Sequence, residues 1–205
     1  MSNIKVFEND LPEDLDLSNE KFIGLDNEAL GLVLGRDPLT LVQLGLESKN
    51  FYLIKLNRET YHAPNLIKAL SNENTQYIMH YARQDLLWLK YHLNVKPKNI
   101  FCTKVASKIA RTASSYHGYK DLVKELCGKD ISKKEQQSDW GDPNLSEKQI
   151  KYAASDTEHL FEIRNKLIKM LEREKRIDLF KKSMEVIPVL VEMEIAGYKL
   201  STFEH

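Results

Sequence analysis

Three short stretches of the chain carry carboxylates at spacings that suit shared work. Asp26-Asn27-Glu28 closes the apolar run Phe22-Ile23-Gly24-Leu25. In an extended strand, residues two apart project from one face, so both carboxylates point the same way. His80-Tyr81-Ala82-Arg83-Gln84-Asp85 joins a strand-like segment to a helical one. Tyr152-Ala153-Ala154-Ser155-Asp156 lies in a helical stretch, where residues four apart stack one turn from each other. Aspartate is a mediocre helix former, and two intervening alanines allow close packing. Taken singly, each stretch has an ordinary explanation. The first could be a solvated strand end and the second an acid favoured near a helix N-terminus. The third could be a surface aspartate beside a core tyrosine.

Taken together they fit phosphoryl-transfer chemistry. Magnesium wants a few hard oxygen ligands and keeps water and substrate oxygens in its other positions. Two such ions about 4 Å apart can activate a water and stabilise the leaving oxygen of an in-line displacement. Carboxylates gathered without cations repel by about 4 kcal/mol per pair at 4 Å and an effective dielectric of 20. Other chemistries lack their signatures. The six histidines show no HxxxH or Cys/His zinc spacing, and there is no GxSxG elbow or glycine-rich phosphate loop.

The elements that must hold these residues follow from the pattern. Leu39–Leu44 and Asn50–Ile54 join Phe22–Leu25 through short connections, which predicts an antiparallel meander. Pro64 opens a helix over Asn65–Leu70, and Gln76–His80 reads as a fourth strand. Leu86, Leu87, Leu89 and Leu93 mark a helix after Asp85, and another runs from about Thr103 to Arg111. A third follows Gly118 and ends at Gly128. Residues 128–144 are polar and loop-like. Ser146-x-x-Gln149 is a capping box that opens one long helix to about Leu171. A last helix starts near Arg176, and Pro188 is expected to bend or break it. This is an α/β or α+β pattern around a mixed sheet.

The 205 residues suit one domain, or one domain with a helical extension, and 42% are hydrophobic, enough for a sizeable core. No apolar run reaches the roughly 18 residues needed to span a bilayer. The acidic N-terminus lacks a secretory layout. Cys102 and Cys127, without a CxxC partner, read as reduced thiols of a cytoplasmic protein. Thirty basic residues balance thirty acidic ones, which favours a small local basic pocket over a long nucleic-acid groove.

The three stretches resemble the exonuclease motifs of the DEDD superfamily. Leu25 to Leu32 is similar to the first, His80 to Asp85 to the second, and Tyr152-x-x-x-Asp156 to the third in its tyrosine form, which points to the DEDDy branch that includes ribonuclease D. Cys102 to Lys108, His117 to Leu122, Gln136 to Trp140 and Gln149 to Asp156 extend the resemblance, most closely to the short ribonuclease D-like proteins called nano-RNase C. It runs from Asp10-Leu11-Pro12 to Phe203-Glu204-His205. Asn27 and Ala29 replace threonines common in the first motif, and Gln84 replaces a common phenylalanine. None of these departures removes a carboxylate or Tyr152.

The resemblance implies an α/β, ribonuclease H-like (DnaQ-like) fold, with a mixed five-stranded sheet whose first three strands are antiparallel, flanked by helices. It implies a metal-dependent 3′→5′ exoribonuclease that releases nucleoside 5′-monophosphates from short RNA. Asp26, Glu28, Asp85 and Asp156 would hold two Mg2+ or Mn2+ ions, and Tyr152 would orient the attacking water. Leu32 matches an apolar wedge between the last two bases, or is an ordinary core leucine. His80 and the polar loop residues Lys133, Gln136, Gln137 and Ser138 could contact substrate, the loop holding the 5′ phosphate. Trp140 reads as a packing anchor. The exonuclease domain would cover residues 1–175. Residues 176–205 would form a helical extension that either caps its own core or makes a subunit contact in a homo-oligomer, typically an octameric ring. The accessory helical domains of ribonuclease D are not expected. A DNA-directed exonuclease and an inactive RNA-binding module of the same fold are the competing readings.

Overall fold

The structure is a computed structural model that describes residues 3–132 and 134–203. A six-stranded mixed sheet forms its centre, with strands β1 (Asn3–Glu8), β2 (Phe22–Ala29), β3 (Leu39–Gly45), β4 (Asn50–Lys55), β5 (Gln76–Met79) and β6 (Ile100–Cys102). Their spatial order is β1-β4-β3-β2-β5-β6. β2, β3 and β4 make the expected antiparallel meander, while β1 lies parallel to β4 and β5 parallel to β2 and β6. The sheet has one strand more than the five expected. β1 gives no sequence signal because it is an edge strand with mostly exposed side chains, so no apolar alternation marks it. β6 is buried but only three residues long.

Helices α1 (Pro64–Leu70), α2 (Ala82–Leu93), α3 (Thr103–Ala110), α4 (Tyr119–Leu122), α5 (Glu147–Glu158), α6 (Leu160–Arg173) and α7 (Ile177–Ile195) complete the fold. Most buried apolar side chains, among them Leu25, Val42, Ile78, Trp88 and Leu167, form one cluster. A smaller cluster of Leu41, Leu53, Trp140 and Ala153 lies beneath α5. Trp140 is therefore an anchor, 4% exposed, with its ring centroid 6.0 Å from that of Tyr152.

One helix expectation changes and another narrows. The single helix over 147–171 is two helices, broken at His159. The Tyr119 hydroxyl donates to the Ser155 carbonyl at 2.8 Å and accepts the His159 N–H at 3.3 Å. It therefore stands in the i→i−4 rung that would have joined those two groups, and an inserted side chain is an established cause of a kink. Pro188, by contrast, does not break α7. Phe180, Met184, Ile187 and Val191 are buried in the main cluster on both sides of the proline, so packing holds the helix across the missing hydrogen bond.

Candidate active site

β2 runs past the end of β5. Its parallel pairing stops at Gly24–Ile78, so Asp26 and Glu28 extend beyond that neighbour while staying paired with β3. The chain leaves β5 through Tyr81, held at φ 66°, and enters α2 with Asp85 in its first turn. α5 crosses the opposite side of β2 and β3 and contributes Tyr152 and Asp156. Its start is set by the Ser146/Gln149 capping box, and Gln149 also donates to the Asp139 carbonyl at 2.9 Å. Its close approach depends on Gly24 and Gly45, which face each other across β2 and β3. A Cβ on Gly45 would lie 2.5 Å from the Thr157 hydroxyl oxygen of α5, and one on Gly24 would lie 3.2 Å from the Thr157 carbonyl.

These elements bring the four predicted carboxylates and Tyr152 into one cleft of about 330 Å³, open at the C-terminal ends of β2 and β5. Ligand oxygens of Asp26, Glu28 and Asp156 lie within 4.8 Å of one another. Asp85 is 5% exposed. Asn27, on the other face of β2, donates to the Asp85 carbonyl at 3.1 Å and ties α2 to the strand. One of the departures from the family motif thus acts as a strut.

Burial, followed by the charges of Asp85, Asp156 and Glu28, holds the Asp26 carboxyl well above the usual range. Burial and the Asp156 and Asp85 charges push Glu28 up to about 9. Burial also raises Asp85, although hydrogen bonds with Asp26 and backbone N–H groups oppose the rise. The Tyr152 hydroxyl is raised by burial and by Asp156, Glu28 and Asp26, and so stays protonated as a donor. A crowd of half-buried oxygen ligands that resists ionisation is the donor set a hard divalent cation satisfies, so the residues fit Mg2+ or Mn2+.

This electrostatic crowding has a measurable consequence. A carboxyl whose folded pKa lies above its unfolded value favours the fold at low pH and loses that advantage as pH rises toward the raised value. For Glu28 the window runs from 4.5 to about 9, at about 1.4 kcal/mol per pH unit for each proton retained. In EDTA, the contribution of this cluster should therefore lower the melting temperature as pH rises from 6 to 8. Magnesium at about 100 times its dissociation constant should restore roughly 2.7 kcal/mol, a rise of several degrees at about 2–4 °C per kcal/mol, and flatten the slope. Calorimetry giving the same pH slope with and without magnesium would count against cation binding at these carboxylates.

The other predicted residues divide between this cleft and a neighbouring one. Leu32 is 81% exposed, which removes the core reading, and it lines a second cleft of about 640 Å³ with Gln136, Gln137 and Ser138. The two clefts share Asn27, Glu28, Gln84, Asp85 and Gln136. Gln136 and Gln137 lie on a 3-10 turn, and the Ser138 hydroxyl donates to the Glu135 carbonyl at 2.7 Å, so its proton must be released before it can serve a phosphate. Lys133 lies outside the described residues. His80 lines the first cleft, with Nδ1 2.9 Å from the Thr103 hydroxyl oxygen. That hydroxyl itself donates to the Met79 carbonyl at 3.1 Å. The Thr103 oxygen is therefore the acceptor, and His80 carries its proton on Nδ1. Tyr81, Lys104 and Tyr119 also line this cleft, with the Lys104 ammonium 4.0 Å from the Tyr81 ring centroid. No carboxylate spacing pointed to these three, and Tyr81 is betrayed only by its backbone, since a left-handed aromatic residue is uncommon.

A family model described as 3′-5′ exonuclease matches residues 5–172. A structure of Brucella melitensis NrnC with bound Mg2+ superposes with a TM-score of 0.92 at 33% identity, covering 99% of this chain and 98% of that one. The same protein bound to pGG gives 0.93 at 34% identity, covering 100% and 99%. Ribonuclease D of Gluconacetobacter diazotrophicus is 34% identical over 171 residues, which is 83% of this chain and 43% of that protein. The chain thus spans less than half the length of that curated relative.

Proposed function

The chain belongs to the 3′-5′ exonuclease family, and on that footing we propose that it is a metal-dependent 3′→5′ exoribonuclease acting on short oligoribonucleotides, dinucleotides included. The observation that carries the reading is the convergence of Asp26, Glu28 and Asp156 within 4.8 Å, with Asp85 in the same cleft. Two Mg2+ or Mn2+ ions held there would neutralise the scissile phosphate and polarise the attacking water. Asp26, Glu28 and Asp156 would hold one ion. Asp26 and Asp85 would help to hold the second, which would supply charge stabilisation to the leaving 3′ oxygen. Tyr152, protonated and anchored against Trp140, would orient the nucleophilic water through its hydroxyl, and the product would be a nucleoside 5′-monophosphate.

Leu32 stands exposed at the edge of the second cleft, where an apolar side chain could wedge between a pair of terminal bases. The binding of pGG by Brucella melitensis NrnC supports a substrate of this size. His80, Gln136, Gln137, Ser138 and Lys133 would contact the nucleotide and its 5′ phosphate. A homo-oligomer is proposed as well. Leu179, Val186 and Val189 on α7 are 58%, 50% and 53% exposed, an apolar surface suited to a second copy.

Matched RNA and DNA oligomers with either cation test the substrate class. Equal or faster DNA hydrolysis would move the reading to a DNA-directed enzyme, because carboxylates alone do not sense the 2′-hydroxyl. Tyr152→Phe should lower kcat by about two decades or more with little change in KM, since the ring still packs. A change confined to KM would assign Tyr152 to substrate binding instead.

A further inference from the structure

Gln43 lies on β3 directly opposite Asp26. It is fully buried, and among the described residues neither its amide nitrogen nor its amide oxygen has a hydrogen-bond partner. A buried amide left unmatched at both ends is costly, and native proteins rarely keep one without a reason. The surroundings narrow the reason. Residues paired across antiparallel strands share a face, so Gln43 has Asp26 on one side and Leu53 on the other. Leu41 and Gly45 flank it along the strand. Ala153 packs on Leu41 and Leu53 from α5, and the Thr157 hydroxyl stands over Gly45 while donating to the Ala154 carbonyl. Among these neighbours the Asp26 carboxylate is the strong acceptor.

We infer that Gln43 is a positioning residue: its amide N–H donates to the Asp26 carboxylate, directly or through one buried water, and fixes the orientation in which Asp26 presents oxygen to a divalent cation. The inference rests on the metal-dependent reading above. Outer partners of this kind set the direction and basicity of a ligating carboxylate, and their loss typically costs 10–100-fold in metal affinity. A glutamine kept only for packing would instead be replaced by an apolar side chain of similar size without effect on the cation.

Gln43→Leu and Gln43→Met separate the two roles, with magnesium binding followed by titration calorimetry and stability followed in EDTA. The expected result is an unchanged or higher melting temperature in EDTA, together with a magnesium dissociation constant raised at least about tenfold. Gln43→Glu, which replaces the donor with an acceptor, should lose at least as much. Wild-type magnesium affinity in both apolar variants would overturn the inference. So would a crystal structure with bound magnesium in which the Gln43 nitrogen contacts neither Asp26 nor a water on it, and this result stands even if the variants fail to fold. Asp26→Asn serves as the control. If it too binds magnesium normally, the metal-site reading itself fails; if it loses magnesium while Gln43→Leu keeps it, only the role of Gln43 is lost.

Discussion

Asp26→Asn and Asp85→Asn are expected to fold normally and to lose at least about three decades of turnover with magnesium, some 4 kcal/mol of transition-state stabilisation. An amide is almost the size of a carboxyl but carries no charge, so each replacement leaves packing intact and removes an anionic oxygen from the cleft. Each replacement also removes a buried carboxyl that burial holds well above the usual range, and Asp85→Asn removes one of the charges that, after burial, raise Asp26 and Glu28. In EDTA near pH 8 both variants should therefore melt higher than the wild type, while gaining little from added magnesium. A residue that merely holds the fold together would show the opposite pattern, with lower stability and turnover reduced in proportion. Steady-state kinetics beside calorimetry reads both quantities. Near wild-type turnover with magnesium in either variant would end the two-metal account.

The carboxylates were legible in the sequence because each sits where local rules leave a trace. Asp26 and Glu28 end an apolar strand at the period of two, Asp85 follows a strand-to-helix junction, and Tyr152 and Asp156 share a helical face. Their meeting point was not legible from spacing, because it depends on β2 outrunning β5 and on two glycines that let α5 settle onto the sheet. Gln43 shows the same limit. It sits in the uniformly buried strand Leu39–Gly45, and only the register with β2 reveals that it faces Asp26. The break at His159 escaped pattern reading for a related reason, since the hydroxyl that causes it comes from Tyr119, 40 residues away in sequence. At Pro188 a bend or a break was expected; the helix is not broken there, because tertiary burial on both sides outweighs the local cost.

Substrate length should show the other large effect. With thirty basic residues offset by thirty acidic ones, the chain has no net positive field to gather a long phosphate backbone. On the proposed function, the binding energy is expected to come from the terminal nucleotides. The two adjoining clefts, which share Glu28, Asp85 and Gln136 as a wall, offer room for them, and exposed Leu32 stands at their edge. Dinucleotides should therefore be cleaved with a kcat/KM about two decades above that of a long structured RNA. Assembly through the exposed apolar side chains of α7 would sharpen the difference by narrowing the approach to each cleft. The salt dependence should be shallow, near the slope for about two phosphates, roughly −1.4 in log–log form for a single strand. Leu32→Ala should cost dinucleotide cleavage about tenfold or more, in keeping with loss of about 1.5–3 kcal/mol of leucine contact with the bases, and should affect binding more than the chemical step. Light scattering showing a 23.8 kDa monomer, together with long RNA degraded as fast as dinucleotides and a steep salt slope, would place the binding energy along the backbone and defeat both the terminal-nucleotide and the assembly proposals.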